Sequence, residues 1–232
     1  MTYSSEGSDL AGFRLRGREI TRLESFSDAV FGFALTLLVV SLDVPKSFTD
    51  LMMTMRGFPA FAICFLFLAL IWNGHYKFCR RYGLDDGTSR FLTCVMLFLV
   101  LFYVYPLKFL FNLSITGLLF GSALPVSMTG SQFTALLVIY GLGFAAVYLA
   151  MTLLYLHAYR LRDILELNEL ERFDTRYQIF RLLTLTVTGL IAAGLACIPV
   201  LRSVSTLVYV LLFPILRTSR IIHRRRRMAF LT

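Results

Sequence analysis

Charge is scarce in this sequence, and polar stretches are scarcer. Asp, Glu, Lys and Arg make up 16% of the 232 residues against 57% hydrophobic, and mean hydropathy is +0.72. That balance excludes an ordinary soluble domain. No polar segment is long enough to bury a core of its own, so the extramembrane parts are loops or tails. The few cysteines, Cys64, Cys79, Cys94 and Cys197, lack the paired spacing of a metal site and read as packing residues. No metal, cofactor or catalytic group is implied. A second buried acid and a serine–histidine constellation, which a membrane enzyme would need, are also missing.

Acids are fewer than bases, 14 against 23, for a net charge of +9. Alone this balance suggests nucleic acid as a partner, but its placement speaks against that. Arg14, Arg16, Arg18 and Arg22 precede the first apolar run; Lys77, Arg80, Arg81 and Arg90 separate the second and third. Arg160, Arg162, Arg172, Arg176 and Arg181 lie between the fourth and fifth, and Arg217, Arg220 and Arg224 to Arg227 follow the sixth. Lys46, Arg56, Lys108 and Arg202 fall on the other side. The positive-inside rule therefore predicts a multi-pass protein of the cell membrane with both termini in the cytoplasm, its basic segments facing anionic lipid.

The apolar runs predict an all-α polytopic membrane protein with six transmembrane helices. Helix one covers Phe26–Leu42, with Pro45 ending it and Asp43 at its outer mouth. Helices two to six cover about 58–76, 91–113, 133–159, 182–201 and 204–222. Pro106 should kink the third, and Lys108 can snorkel from it. Acids and bases alternate with leucines over 161–178, which predicts a cytoplasmic extension of helix four. The apolar loop 114–132 contains Gly117-x-x-x-Gly121, a weak signal for helix contact. Residues 1–13 read as a disordered terminus, 14–222 as one membrane domain and 223–232 as a basic tail.

Helix one carries the most information. Asp28 lies near its start, and a carboxylate at membrane depth calls for a partner on another helix. His75, Asn73 and a neighbouring arginine are candidates. The alternative is local: Ser25-x-x-Asp28 has the spacing of an acidic capping box. At 100° per residue Asp28 points about 140° from Phe33, so the two serve different surfaces. Phe26, Ala29, Phe33, Thr36, Leu37, Val40 and Val44 share one face. A core stripe would have the same pattern.

Arg22-x-x-x-Phe26-Ser27-Asp28, continued by Ala-Val-Phe and closed by Thr-Leu-Leu-Val-Val, resembles the signature of the transmembrane protein 175 family. The likeness is to its single-repeat, six-helix prokaryotic form. Trp72-Asn73-Gly74-His75-Tyr76 matches in part the family's Trp-x-x-His-His, with the second histidine replaced. The resemblance implies a homotetrameric potassium channel with helix one of each subunit lining the pore, and not an enzyme. It maps the pore constriction and selectivity positions onto Phe33, Thr36 and Val40: an apolar ring, a hydroxyl ring and a second apolar ring. Arg22, Phe26, Ser27 and Asp28 become a structural motif, supported by Trp72, Asn73 and His75. Apolar rings can gate by dewetting, and a hydroxyl can replace one water of an ion's shell. No Thr-Val-Gly-Tyr-Gly-like loop supplies a carbonyl filter.

Phe33 departs from the family, which more often has isoleucine or leucine there, and Gly32 stands where alanine is usual. Two other readings compete. One is a membrane enzyme using Asp28 and His75 as an acid–base pair, and the other is a secondary transporter, for which Pro106 is the one hint. His75 reads as an interfacial anchor beside Trp72 and Tyr76 or as a pH sensor.

Overall fold

The computed structural model describes residues 12–40, 46–120 and 129–228. The fold is all-helical: α1 Arg22–Val40, α2 Phe48–Arg56, α3 Phe58–Tyr82, α4 Gly87–Phe120, α5 Gly130–Arg160, α6 Glu169–Ala196, α7 Arg202–Ser205 and α8 Val208–Met228. α5 packs along α6 and α4 along α5; α1 lies against α3 and α4, and α8 against α6. α3, α5, α6 and the Gly87–Val104 part of α4 are long and apolar enough to cross a membrane. Asp43, Pro45, Gly121 and residues 1–11 and 229–232 lie outside the described residues, as do the side chains of Val40 and Lys108.

Local chemistry sets most helix ends. Ser47 caps α2 by accepting the Asp50 N–H, so the segment between α1 and α3 is itself a short helix. Pro59 stands in the first turn of α3, where its missing N–H costs nothing. α3 continues to Tyr82 because Gly83 ends it in the left-handed region at φ 61°, returning its N–H to the Cys79 carbonyl at 2.9 Å. α4 extends through the first part of the expected 114–132 loop, to Phe120, and Thr129 and Gln132 form a capping box that starts α5.

Two expectations are corrected. The charged segment after Arg160 does not prolong the fourth span. The chain turns over 161–166, with Glu166 at φ 48°, and Asn168 and Glu171 form a capping box that begins α6 at Glu169. The charged residues 169–178 are thus the first turns of the helix that goes on to cross. The sixth span is not one helix over 204–222. α7 ends at Ser205, the chain turns, and α8 runs to Met228 with Pro214 inside it, carrying Arg224 to Arg227 as helix rather than tail.

The tightest helix contact is between α5 and α6. A Cβ on Gly141 would lie 2.8 Å from both the Ala193 Cβ and the Gly189 carbonyl, and one on Gly189 would meet the Gly141 carbonyl at 2.8 Å. In lipid, where apolar surface drives helices together weakly, such close backbone approach supplies the packing. Glycines far from Gly117 do this work.

Candidate functional site: the two faces of α1

The first turn of α1 is capped by Thr21, whose hydroxyl accepts the Glu24 N–H at 3.1 Å. The cap thus lies one turn before the Ser25–Asp28 pair, and Asp28 is free for another partner. That partner is none of His75, Asn73 or arginine. The Trp72 indole N–H donates to Asp28 Oδ1 at 2.7 Å. Trp72 stacks on Tyr76 at 5.7 Å, the Arg80 guanidinium lies 5.4 Å over the Tyr76 ring, and Arg80 Nε stands 3.3 Å from the Glu24 carboxylate, as an ion pair rather than an aligned hydrogen bond. Residues 72, 76 and 80 are spaced four apart on α3, so one stripe of that helix grips α1 at Asp28 and again at Glu24. Glu24 is buried, and its first-turn position after Thr21 is the one sequence signal for it.

His75 lies on the other side of α3. It is buried, 3.3 Å from the Thr93 hydroxyl of α4, so it is not an interfacial anchor and does not meet Asp28. Asn73, two residues before it, is partly buried, and Arg22 is exposed. Ser27 is fully buried, its hydroxyl donating to the Leu23 carbonyl at 2.8 Å, which leaves a small, self-satisfied surface for close packing.

Leu23, Ser27, Phe31, Ala34 and Leu38 form the buried stripe of α1. The opposite stripe is uncovered: Phe26 is 52% and Phe33 57% exposed, and Ala29, Gly32 and Thr36 are exposed with them, while Leu37 is half-buried. The Thr36 hydroxyl donates to the Gly32 carbonyl at 2.9 Å. Its proton is therefore occupied, and the oxygen lone pairs are what the group has left to offer. Asp28 is exposed as well, and with Gly32 and Trp72 it lines a hollow of about 430 Å³ between α1 and α3, walled also by Phe31, Leu35, Phe65 and Leu68.

The two described ends of the chain meet at one end of the bundle. Phe13, expected in the disordered terminus, is buried against Tyr82 and under the Arg81 guanidinium. Arg16 pairs with buried Glu171 at 2.7 Å, and Glu171 also accepts the Arg14 N–H at 2.9 Å. One turn along α6, Asp174 holds Arg227 at 3.1 Å and has His223 Nε2 3.0 Å away. His223 is itself stacked on Phe173 and Tyr177. Among the described residues no group of His, Cys, Asp or Glu is placed to hold a metal ion.

Residues 22–106, which include α1, α3 and the Trp72 segment, match the family model described as endosomal/lysosomal potassium channel TMEM175. A potassium channel of Marivirga tractuosa is 44% identical over 174 residues, covering 72% of this chain and 70% of that protein. The chain belongs to the TMEM175 family. A crystal structure of a variant of the potassium channel MtTMEM175 is 36% identical and superposes with a TM-score of 0.83, covering 94% of this chain and 99% of that one. A TMEM175 homologue of Chamaesiphon minutus, at 20% identity and a TM-score of 0.50 over 82% of this chain and 96% of that one, shares the fold.

TMEM175 proteins are named as channels and not as enzymes. This sets aside the acid–base reading of Asp28 and His75, in agreement with the separate environments of the two side chains. The stretch that carries the family match is the one in which α3 grips α1 from behind and leaves its other face open.

Proposed function

We propose that four copies of this chain assemble about an axis with α1 of each facing it, forming a potassium-selective pore through the cell membrane. The observation that carries this reading is the two-faced character of α1. Leu23, Ser27, Phe31, Ala34 and Leu38 pack into the chain's own bundle, while Phe26, Phe33 and Thr36 are left uncovered. A helix whose exposed face carries Phe33 and a hydroxyl with free lone pairs suits a narrow ion path better than a lipid-facing wall.

Along the axis, Phe33 and Thr36 are separated by about 4.5 Å and Phe33 and Val40 by about 10.5 Å, at 1.5 Å per residue. A ring of Phe33 side chains forms the apolar neck. An ion there sheds water without a polar substitute until it reaches the Thr36 oxygens, and Val40 closes the constriction on the far side. Asp28 acts from behind, fixing α1 on α3 through Trp72.

α1 and α8 complete six spans with the four long helices. The contacts of Arg14 and Arg16 with Glu171 and of Arg227 with Asp174 bring both described ends of the chain to one end of the bundle. Together with the distribution of basic residues, this supports cytoplasmic termini. The exposed arginines of α8, Arg217, Arg220, Arg224, Arg225 and Arg226, then face anionic lipid, each worth about 1 kcal/mol near such a surface.

Purified protein should run as a tetramer and release potassium faster than sodium from liposomes. A monomer that conducts would exclude a pore lined by one helix per subunit.

A further inference from the structure

A second hollow, away from α1, has no part in that reading. It lies where α3, α4, α5 and α6 meet the α7–α8 corner and holds about 430 Å³, more than ten times the ~30 Å³ share of one liquid water. Its walls include Phe67, Tyr103, Tyr140, Phe144, Tyr209 and Leu212. The polar ends of two of these rings are used within the wall: the Tyr103 hydroxyl donates to the Tyr140 carbonyl at 3.1 Å, and the Tyr140 hydroxyl to the Pro106 carbonyl. What they offer the hollow is ring surface. Packed interiors carry few voids larger than a water, and an apolar space of this size suits an apolar occupant rather than solvent. In a bilayer the abundant molecule of that shape is an acyl chain.

Arg202, outside the lining of the hollow but one turn before Ser205 of its wall, supplies the polar half of the site. Ser205 and Thr206 line the hollow, and the Ser205 hydroxyl donates to the Arg202 carbonyl at 2.7 Å. The Arg202 side chain reaches the start of α5, where Nη1 stands 3.0 Å from the position a Gly130 Cβ would take. Its Nε is buried without a hydrogen-bond partner. A buried cationic donor left unused is costly, and phosphate is an acceptor whose geometry the guanidinium fork fits. Arg202 is also one of only four basic residues on its side of the membrane in the proposed orientation.

We propose that this hollow is a phospholipid site, with one acyl chain filling the aromatic cleft and the lipid phosphate held by Arg202. The lipid would brace the α7–α8 corner, the point at which the last span is broken.

The test is lipid retention by the purified full-length oligomer, read by native mass spectrometry after delipidation and titration with phosphatidylglycerol; it does not depend on conduction. The unaltered protein should hold one phosphatidylglycerol per subunit. Thr206→Trp, at an exposed position on the rim, should abolish that binding without disturbing the core, and Arg202→Gln should weaken it by about tenfold. Inorganic phosphate in place of the lipid should not protect the protein against thermal unfolding, since the acyl chain makes most of the contact. Unchanged lipid binding in Thr206→Trp overturns the site. Unchanged affinity in Arg202→Gln, or equal protection by phosphate alone, overturns the assignment of its occupant.

Discussion

Asp28 on α1 accepts the indole N–H of Trp72 on α3 at 2.7 Å, and four residues further along α3 Tyr76 carries the ring that links Trp72 to Arg80 and so back to Glu24 of α1. The acid therefore acts by holding the helix whose other face is proposed to line the pore. Trp72→Phe keeps the ring and removes the donor. It should lower thermal stability by about 1 kcal/mol, or ~2–4 °C for a chain of this size, while the potassium-to-sodium flux ratio stays as it was. Asp28→Asn should behave alike and reduce tetramer yield. An intact tetramer with altered ion preference would place Asp28 in the ion path instead.

The α5–α6 contact leaves no room at Gly141, where an added Cβ would stand 2.8 Å from Gly189 and Ala193. Gly141→Val should force the helices apart at a cost of about 1–3 kcal/mol. The check is the melting temperature of the detergent-solubilised protein, compared with Gly194→Val, where a Cβ meets nothing within 4 Å. Equal melting of the two variants would mean that α5 and α6 are not packed this closely.

Glu171 gathers the Arg16 guanidinium and the Arg14 N–H, and its carboxylate is almost wholly buried. Glu171→Gln leaves Arg16 without its charge partner, a loss of about 3 kcal/mol for a buried pair. The strap that begins at Phe13 should then detach and become open to proteolysis between Arg14 and Arg22. A strap that stays as protected as before would show that Phe13 alone secures it.

Asp86 sits in the loop between α3 and α4. Burial raises its pKa, but the Ser89 hydroxyl at 2.6 Å, the His157 ring at 3.0 Å and the Thr88 N–H outweigh burial and hold it below the ordinary carboxylate value. A depressed folded-state value means that the stabilisation is complete above the unfolded-state pKa, about 3.9, and is lost as pH falls through the folded one. Acid titration of thermal stability should show this loss below about pH 4, and Asp86→Asn should flatten that part of the curve. A variant with the same acid slope would exclude Asp86 as its source.

The sequence discloses those parts of the fold that depend on local pattern. Long apolar runs, Pro59 at a helix start and the spacing of Phe26, Phe33 and Thr36 on one face all follow from chain-local rules, and the structure shows those three side chains exposed together. Partnerships between helices were less legible. Trp72 stands out in the sequence only by its place in a motif, and nothing in its spacing marks its indole N–H as the donor to Asp28, since His75 and arginine are the more familiar partners of an acid. The Asn168–Glu171 capping box is only a short Asn-x-x-Glu in the sequence, and the leucines around it favour a continuing helix. Gly141 and Gly189 lie 48 positions apart, so no spacing rule joins them; only the packed fold does.

The central claim is that α1 forms the constriction, and Phe33 tests it most directly because it is the more exposed of the two phenylalanines on that face and stands one turn from the Thr36 hydroxyl. Potassium and sodium efflux should be measured from liposomes containing Phe33→Ala, with Thr36→Val alongside and tetramer content verified for each. Widening the apolar neck should raise the flux of both ions and reduce discrimination between them, and loss of the Thr36 oxygen should lower potassium flux. Fluxes of both ions unchanged in a tetrameric Phe33→Ala protein would contradict the account, since α1 would then not be where the ions pass.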